Sequence, residues 1–259
     1  MNLKIATFNL FQFCSPSFSF YTKKEKFLPE DWEEKKSWIK EQILKMNCDI
    51  IGFQEVFSQD ELKALTFDCG YKEFIVVDEP KLDEKNQVFK TTTVALASKF
   101  LIKKVEKVLR HENFTFAREP IKAIICLKND LDITIYVAHL KSNRLNEFEY
   151  KFTQNSTFEQ KLEKFQVAQK NNYSLSLKQR IDEAKTLHFD IKKQKNPSIL
   201  LCDLNDREFS VTIEALTNKR FYIKDLKKDD FILFDSYYLA PKNIYNPHPE
   251  FKGFTRTPT

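Results

Sequence analysis

The chain has 259 residues, 42% hydrophobic and 31% charged, with a formal net charge of +5. That balance describes a globular chain and excludes disordered, fibrous and membrane-spanning classes. Its three glycines, Gly52, Gly70 and Gly253, exclude a Gly-rich dinucleotide loop, a Walker A loop and a Gly-x-Ser-x-Gly elbow, so phosphate chemistry must rest on side chains and metal.

Apolar runs of strand length alternate with helical patterns. Lys4 to Phe11 reads as a first strand. Pro29 to Met46 reads as a helix: Pro-Glu-Asp suits a positive helix N-terminus, and Ile39, Ile43 and Met46 share one face. Asp49 to Val56 is a nearly continuous apolar strand, as expected for one covered on both faces. Strands follow at Tyr71 to Val77, Thr91 to Phe100, Ala123 to Leu127 and Asp132 to Leu140. Asn143 to Asn172 is polar with scattered phenylalanines and reads as an insertion or flap, a surface excursion with a few anchoring aromatics being favoured over a helical insertion. Leu175 to Lys193 is a helix, Ser198 to Asp203 a short buried strand, Val211 to Asn218 a helix, and Phe231 to Tyr237 a late strand. The alternation makes the chain α/β or α+β, and with no repeat or Pro- or Ser-rich linker it reads as one domain over residues 1–259.

The five cysteines are odd in number and form no Cys-x-x-Cys pair, which argues against a disulfide scaffold or structural zinc; Cys126 and Cys202 sit in apolar runs as reduced, buried thiols. The N-terminus lacks a secretory layout and no apolar run is long enough to span a bilayer, so a cytoplasmic location without membrane contact is expected. The mild positive charge permits a polyanionic partner, but a solvated lysine-rich surface explains it equally well. Oligomeric state is not legible.

Polar residues close several of the apolar strands, where open α/β sheets carry their ligand sites. They are Asn9, the pair Gln54-Glu55, His139, and Asp203-Leu204-Asn205-Asp206. A carboxylate ending a buried strand is costly unless paired or bound to a cation. Oxygen donors of this kind favour Mg²⁺ or Mn²⁺ over zinc. Taken singly, Glu55 could cap a helix, His139 could be structural and Asp203 could belong to a turn.

Their order and flanks weigh more. Ile5-Ala6-Thr7-Phe8-Asn9, Gly52-Phe53-Gln54-Glu55-Val56, Val94 to Phe100, Phe116-Ala117-Arg118-Glu119-Pro120, Val137-Ala138-His139-Leu140-Lys141-Ser142 and Leu201-Cys202-Asp203-Leu204-Asn205-Asp206 stand in one order along the chain. In that order they resemble the endonuclease/exonuclease/phosphatase family of metal-dependent phosphohydrolases. The resemblance implies a deoxyribonuclease-I-like fold, a four-layered sandwich of two mixed β-sheets flanked by helices. It implies that Asn9 and Glu55 hold Mg²⁺ or Mn²⁺, that His139, Asp203 and Asn205 are catalytic, and that Arg118 contacts a substrate phosphate, unless Arg118 is simply a surface salt bridge. The implied activity is metal-dependent phosphodiester hydrolysis by water attack, with DNA as substrate. A phosphatase or sphingomyelinase-type activity is the alternative within the family, and a catalytically silent binding module the alternative outside it.

Cys202 and Leu204 replace the family's usual glycine and aromatic residue around Asp203. The family's closing Ser-Asp-His is not found, and Gly253-Phe254-Thr255 resembles the segment just before it, so the sequence reads as C-terminally incomplete. His248, in a Pro-flanked loop context, is not taken as the replacement.

Overall fold

The computed structural model describes residues 2–110, 114–128, 130–143, 151–172 and 174–236. Its elements, in chain order, begin with β1 (Ile5–Phe13), β2 (Ser19–Phe20), α1 (Pro29–Met46), β3 (Ile50–Val56) and α2 (Gln59–Asp68). Next come β4 (Glu73–Ile75), β5 (Leu82–Asp83), β6 (Val88–Phe89), β7 (Thr93–Ser98), β8 (Ile102–Glu106), β9 (Ile121–Cys126) and β10 (Asp132–His139). The remainder are α3 (Phe158–Lys170), α4 (Leu175–Lys192), β11 (Ser198–Asp203) and α5 (Val211–Thr217).

Two four-stranded mixed sheets result, in the orders β1-β3-β7-β4 and β11-β10-β9-β8, with a small sheet β2-β6-β5 beside them. The innermost strands of each sheet are the most continuously apolar. Every residue of β7 is buried, and so is β10 beyond its first residue. The sheets face each other across a core that includes Ile50, Leu96, Ile121, Ile135, Val137 and Leu201. On the outer face of the first sheet, Ile39, Ile43 and Leu62 from α1 and α2 pack on Phe53 and Ala95. On the outer face of the second, α3, α4 and α5 deliver Phe165, Ile181, Leu187 and Leu216 onto Tyr136. The four expected layers, helices, sheet, sheet, helices, are all present.

Gly52 sets how closely the sheets approach. A Cβ there would lie 2.8 Å from Leu201 Cβ and 3.0 Å from Val137 Cγ1, so only glycine lets β3 press against β10 and β11. Pairing then aligns the strand ends. Asn9 stands opposite Gln54 in the parallel β1/β3 pair, and His139 opposite Asp203 in the parallel β10/β11 pair. All four polar strand ends therefore emerge at one edge of the sandwich.

Two expectations are revised. Phe231 to Tyr237 is not a strand: within the described residues Phe231 makes only an isolated bridge with Asn218, and the chain bends at residues 232–233. The segment from Asn143 to Asn172 is helical over part of its described length, against the preference for an excursion without a helix, while its aromatics do anchor it. Thr157 and Gln160 close a capping box that starts α3, and Phe152, Phe165 and Ala168 enter the second sheet's outer core. Residues 144–150, and Tyr237 to Thr259 with His248 and the expected incomplete end, lie outside the described residues. All five cysteines are free thiols, and no described helix is long and apolar enough to cross a membrane.

Candidate active site

Two strand irregularities build the site. From Asn9 to Phe13, β1 advances four residues while its partner advances two, from Gln54 to Val56. Over the same stretch β3 carries one residue more than β7. The surplus residues take the left-handed conformation: φ is +48° at Phe11, +64° at Gln12 and +61° at Glu55. For residues with a Cβ this conformation costs roughly 1–2 kcal/mol each. It turns otherwise laddered backbone groups toward side chains.

The Phe11 N–H donates to Asn9 Oδ1 at 2.9 Å, and the Gln12 N–H donates to Glu55 Oε2 at 2.8 Å. Asn9 Nδ2 donates to Glu55 Oε1 at 3.2 Å and to Asp203 Oδ2 at 2.8 Å. One amide thus joins a carboxylate of the first sheet to a carboxylate of the second. Gln54, by contrast, is buried and exchanges hydrogen bonds with the Thr7 hydroxyl, a purely structural use of that polar side chain.

Asp203 Oδ1 accepts the Asn205 N–H at 2.9 Å, with Asn205 itself left-handed at φ +49°. The Asn205 amide donates to the Leu140 carbonyl at 3.0 Å, tying the loop after β11 to the loop after β10. His139 is buried, with Nε2 3.8 Å from Asp203 Oδ2 and Nδ1 without a hydrogen-bond partner among the described residues. Burial, reinforced by the nearby Arg118 charge, holds its pKa well below the usual imidazole range, so the ring is neutral at neutral pH.

Arg118 donates to the carbonyls of Leu140 at 2.9 Å and His139 at 3.4 Å and to Ser142 Oγ at 3.2 Å, and pairs with no carboxylate among the described residues. Of its five donors, two N–H groups remain for another acceptor. Behind it, buried Glu183 of α4 accepts the Ala117 N–H at 2.8 Å and the Lys141 N–H at 2.6 Å, locking the Arg118 loop to the His139 loop. Burial raises the Glu183 pKa against these donors.

All six sequence-derived candidates, Asn9, Glu55, Arg118, His139, Asp203 and Asn205, therefore gather at one mouth. Sequence reasoning missed three neighbours. Tyr21, left-handed at φ +60° and 39% exposed, lies within the electrostatic reach of Arg118 and Glu55. Burial raises its pKa while Arg118 pulls it back. Lys35 of α1 donates to the Phe11 carbonyl at 2.7 Å; burial pulls its pKa down to about 8, against the attraction of Glu55. Phe11 is the third. The only sequence signal for these residues was the departure from strict strand alternation around Phe11 and Gln12.

Comparison with solved structures sets this geometry on a known frame. A β-hairpin deletion mutant of the beta toxin from Staphylococcus aureus superposes with a TM-score of 0.50 at 17% identity, over 84% of this chain and 73% of the toxin. An endonuclease/exonuclease/phosphatase family protein from Bacteroides thetaiotaomicron superposes with a TM-score of 0.50 at 14% identity, over 84% of this chain and 71% of that one. The fold is deoxyribonuclease-I-like. No protein-family model matches the sequence, and no curated protein matches it either. At such identities the likeness establishes architecture, as the ordered motifs implied.

The donor set suits a hard divalent cation. Glu55 and Asp203 offer carboxylate oxygens on either side of Asn9 Nδ2, Asn9 Oδ1 being held by the Phe11 N–H, while no group of three or more His, Cys, Asp or Glu is spaced to hold a metal among the described residues. Few protein ligands with carboxylate oxygen fits Mg²⁺, which keeps several waters and leans on substrate phosphate.

Proposed function

We propose that the chain is a Mg²⁺- or Mn²⁺-dependent phosphodiester hydrolase acting on DNA. The observation that carries this reading is the Asn9 amide, which gathers Glu55 and Asp203 from opposite sheets at the mouth shared by His139, Asn205 and Arg118. Two carboxylates joined by a neutral amide leave negative charge that a divalent cation offsets.

Glu55, with Asn9 beside it, would hold the ion in this reading. When bound, the ion stabilises negative charge building on the phosphoryl oxygens. Asp203 accepts a proton from the attacking water, its orientation fixed by the Asn205 N–H. The Asn205 carboxamide oxygen is left to position that water. Neutral His139 serves as a hydrogen-bonding partner of the phosphate rather than as a standing acid. The two remaining Arg118 donors face an adjacent phosphate oxygen. The net charge of +5 supports a polyanionic substrate.

Nicking of supercoiled plasmid tests the reading. Nicking is expected with Mg²⁺ and lost in EDTA, and Glu55→Gln is expected to lower its rate by roughly a hundredfold or more. Full activity in EDTA, or in Glu55→Gln, sinks it. Hydrolysis of phosphomonoesters but not plasmid would move the substrate to the phosphatase alternative.

A further inference from the structure

Phe11 is an unexpected residue for its backbone. The bulge needs the left-handed conformation there, because it delivers the Phe11 N–H to Asn9 and, one residue on, the Gln12 N–H to Glu55. Glycine would do that backbone work without the Cβ penalty. The chain instead places a phenylalanine whose surface is 56% exposed. Burial of the ring in the core therefore does not explain its presence.

The ring is nonetheless held in place. Lys35 Nζ lies 5.6 Å from its centroid while donating to the Phe11 carbonyl, and the same ammonium lies 4.9 Å from the Phe27 ring. The contacts fix the residue from the α1 side and leave much of the aromatic surface open to solvent, two residues along the chain from Asn9. A strained, exposed, anchored aromatic beside a charged mouth is the arrangement expected of a stacking platform.

We propose that Phe11 is a specificity-determining residue that stacks on a nucleobase next to the scissile phosphate. The proposal rests on the phosphodiesterase reading and deepens it: the substrate is recognised as a nucleotide by one flat contact, without base-edge readout. Stacking of this kind accepts any base, because every base has a π-face. Phe11 takes no part in the chemistry, so its effect falls on substrate binding.

The test compares short single-stranded oligonucleotides with intact bases against the same strands carrying a tetrahydrofuran abasic unit at the scissile position. Wild type is expected to prefer the intact strand by roughly tenfold, chiefly through KM. Phe11→Leu and Phe11→Gly bring that ratio close to one with kcat little changed, and Phe11→Tyr restores it. Phe11→Gly is also expected to melt at a higher temperature than wild type, since it relieves the backbone. An unchanged ratio in Phe11→Leu overturns the proposal, as does a lower melting temperature in Phe11→Gly. If wild type cleaves nothing, the phosphodiesterase reading falls, and stacking is read from binding in Ca²⁺ instead. Adenosine monophosphate is then expected to bind wild type about tenfold more tightly than inorganic phosphate, and Phe11→Leu no more tightly. Equal affinities in wild type would overturn the stacking.

Discussion

Asn9 is the residue on which the geometry turns, because its single amide nitrogen touches both carboxylates. Asn9→Asp would replace that donor with a third carboxylate between Glu55 and Asp203. Repulsion and a lost hydrogen bond are expected to destabilise the protein by about 1–3 kcal/mol at neutral pH. Millimolar Mg²⁺ should recover more stability in the variant than in wild type, which urea titrations with and without the ion would measure. A variant as stable as wild type in EDTA would show that the two carboxylates do not feel each other. Asn9, Glu55, His139, Asp203 and Asn205 were all legible as polar residues closing apolar runs. Glu183 was not, because a glutamate on an amphipathic helix reads as solvent-facing. Only the tertiary structure shows it buried and holding the Ala117 and Lys141 N–H groups. Glu183→Ala leaves two part-buried backbone donors unmet, and is expected to destabilise the fold by roughly 1–3 kcal/mol while lowering any activity through the Arg118 loop. Loss of activity without loss of stability would contradict that structural role.

Among the elements, those with a strong local signal were legible nearly to the residue. α1 begins at Pro29 and ends at Met46, and β11 runs from Ser198 to Asp203, as their proline start and apolar run imply. The shorter elements were not. β8 presents Lys103, Lys104 and Val105 to solvent and has too little apolar alternation to announce itself. The left-handed bulges carry no glycine to mark them, since Phe11, Gln12 and Glu55 occupy those positions. α3 did carry a mark, the Thr157–Gln160 capping box, but its polar composition outweighed it. Gly52 was legible only as part of a motif, and its physical role is steric. Gly52→Ala places a methyl group within 3.0 Å of Leu201 and Val137. It is expected to destabilise by about 1–3 kcal/mol, lowering the melting temperature by several degrees. Unchanged melting would mean that the sheets part freely at that point.

At the level of the whole molecule, stability should depend on pH through its buried imidazoles. His139 and His188 are both buried, and burial lowers both pKa values. His188 sits against Tyr222, with Nδ1 2.9 Å from the Leu216 carbonyl oxygen. In the unfolded chain each histidine takes up a proton near pH 6.5, whereas the folded chain resists it. The unfolded state then binds more protons, so stability is lost as pH falls below about 6.5. Glu183, with its raised pKa, works in the opposite direction over part of that range. His188→Gln removes one histidine contribution and leaves Glu183 in place. Between pH 7.5 and 5.5 its denaturation midpoint is expected to fall less than that of wild type; an equal fall would exclude His188 as a contributor.

The two large sheets draw on separate, consecutive stretches of chain: β1, β3, β4 and β7 all precede Lys99, and β8 to β11 all follow Phe100. A single backbone cut between Phe100 and Leu101 would sever no strand pairing within either sheet, yet it would leave Glu55 on one polypeptide and Asp203 on the other. Under the proposed hydrolase reading, activity in such a nicked protein would become a bimolecular property. On dilution, turnover per molecule would fall as the pieces dissociate, and each half could be titrated by the other as though it were a cofactor.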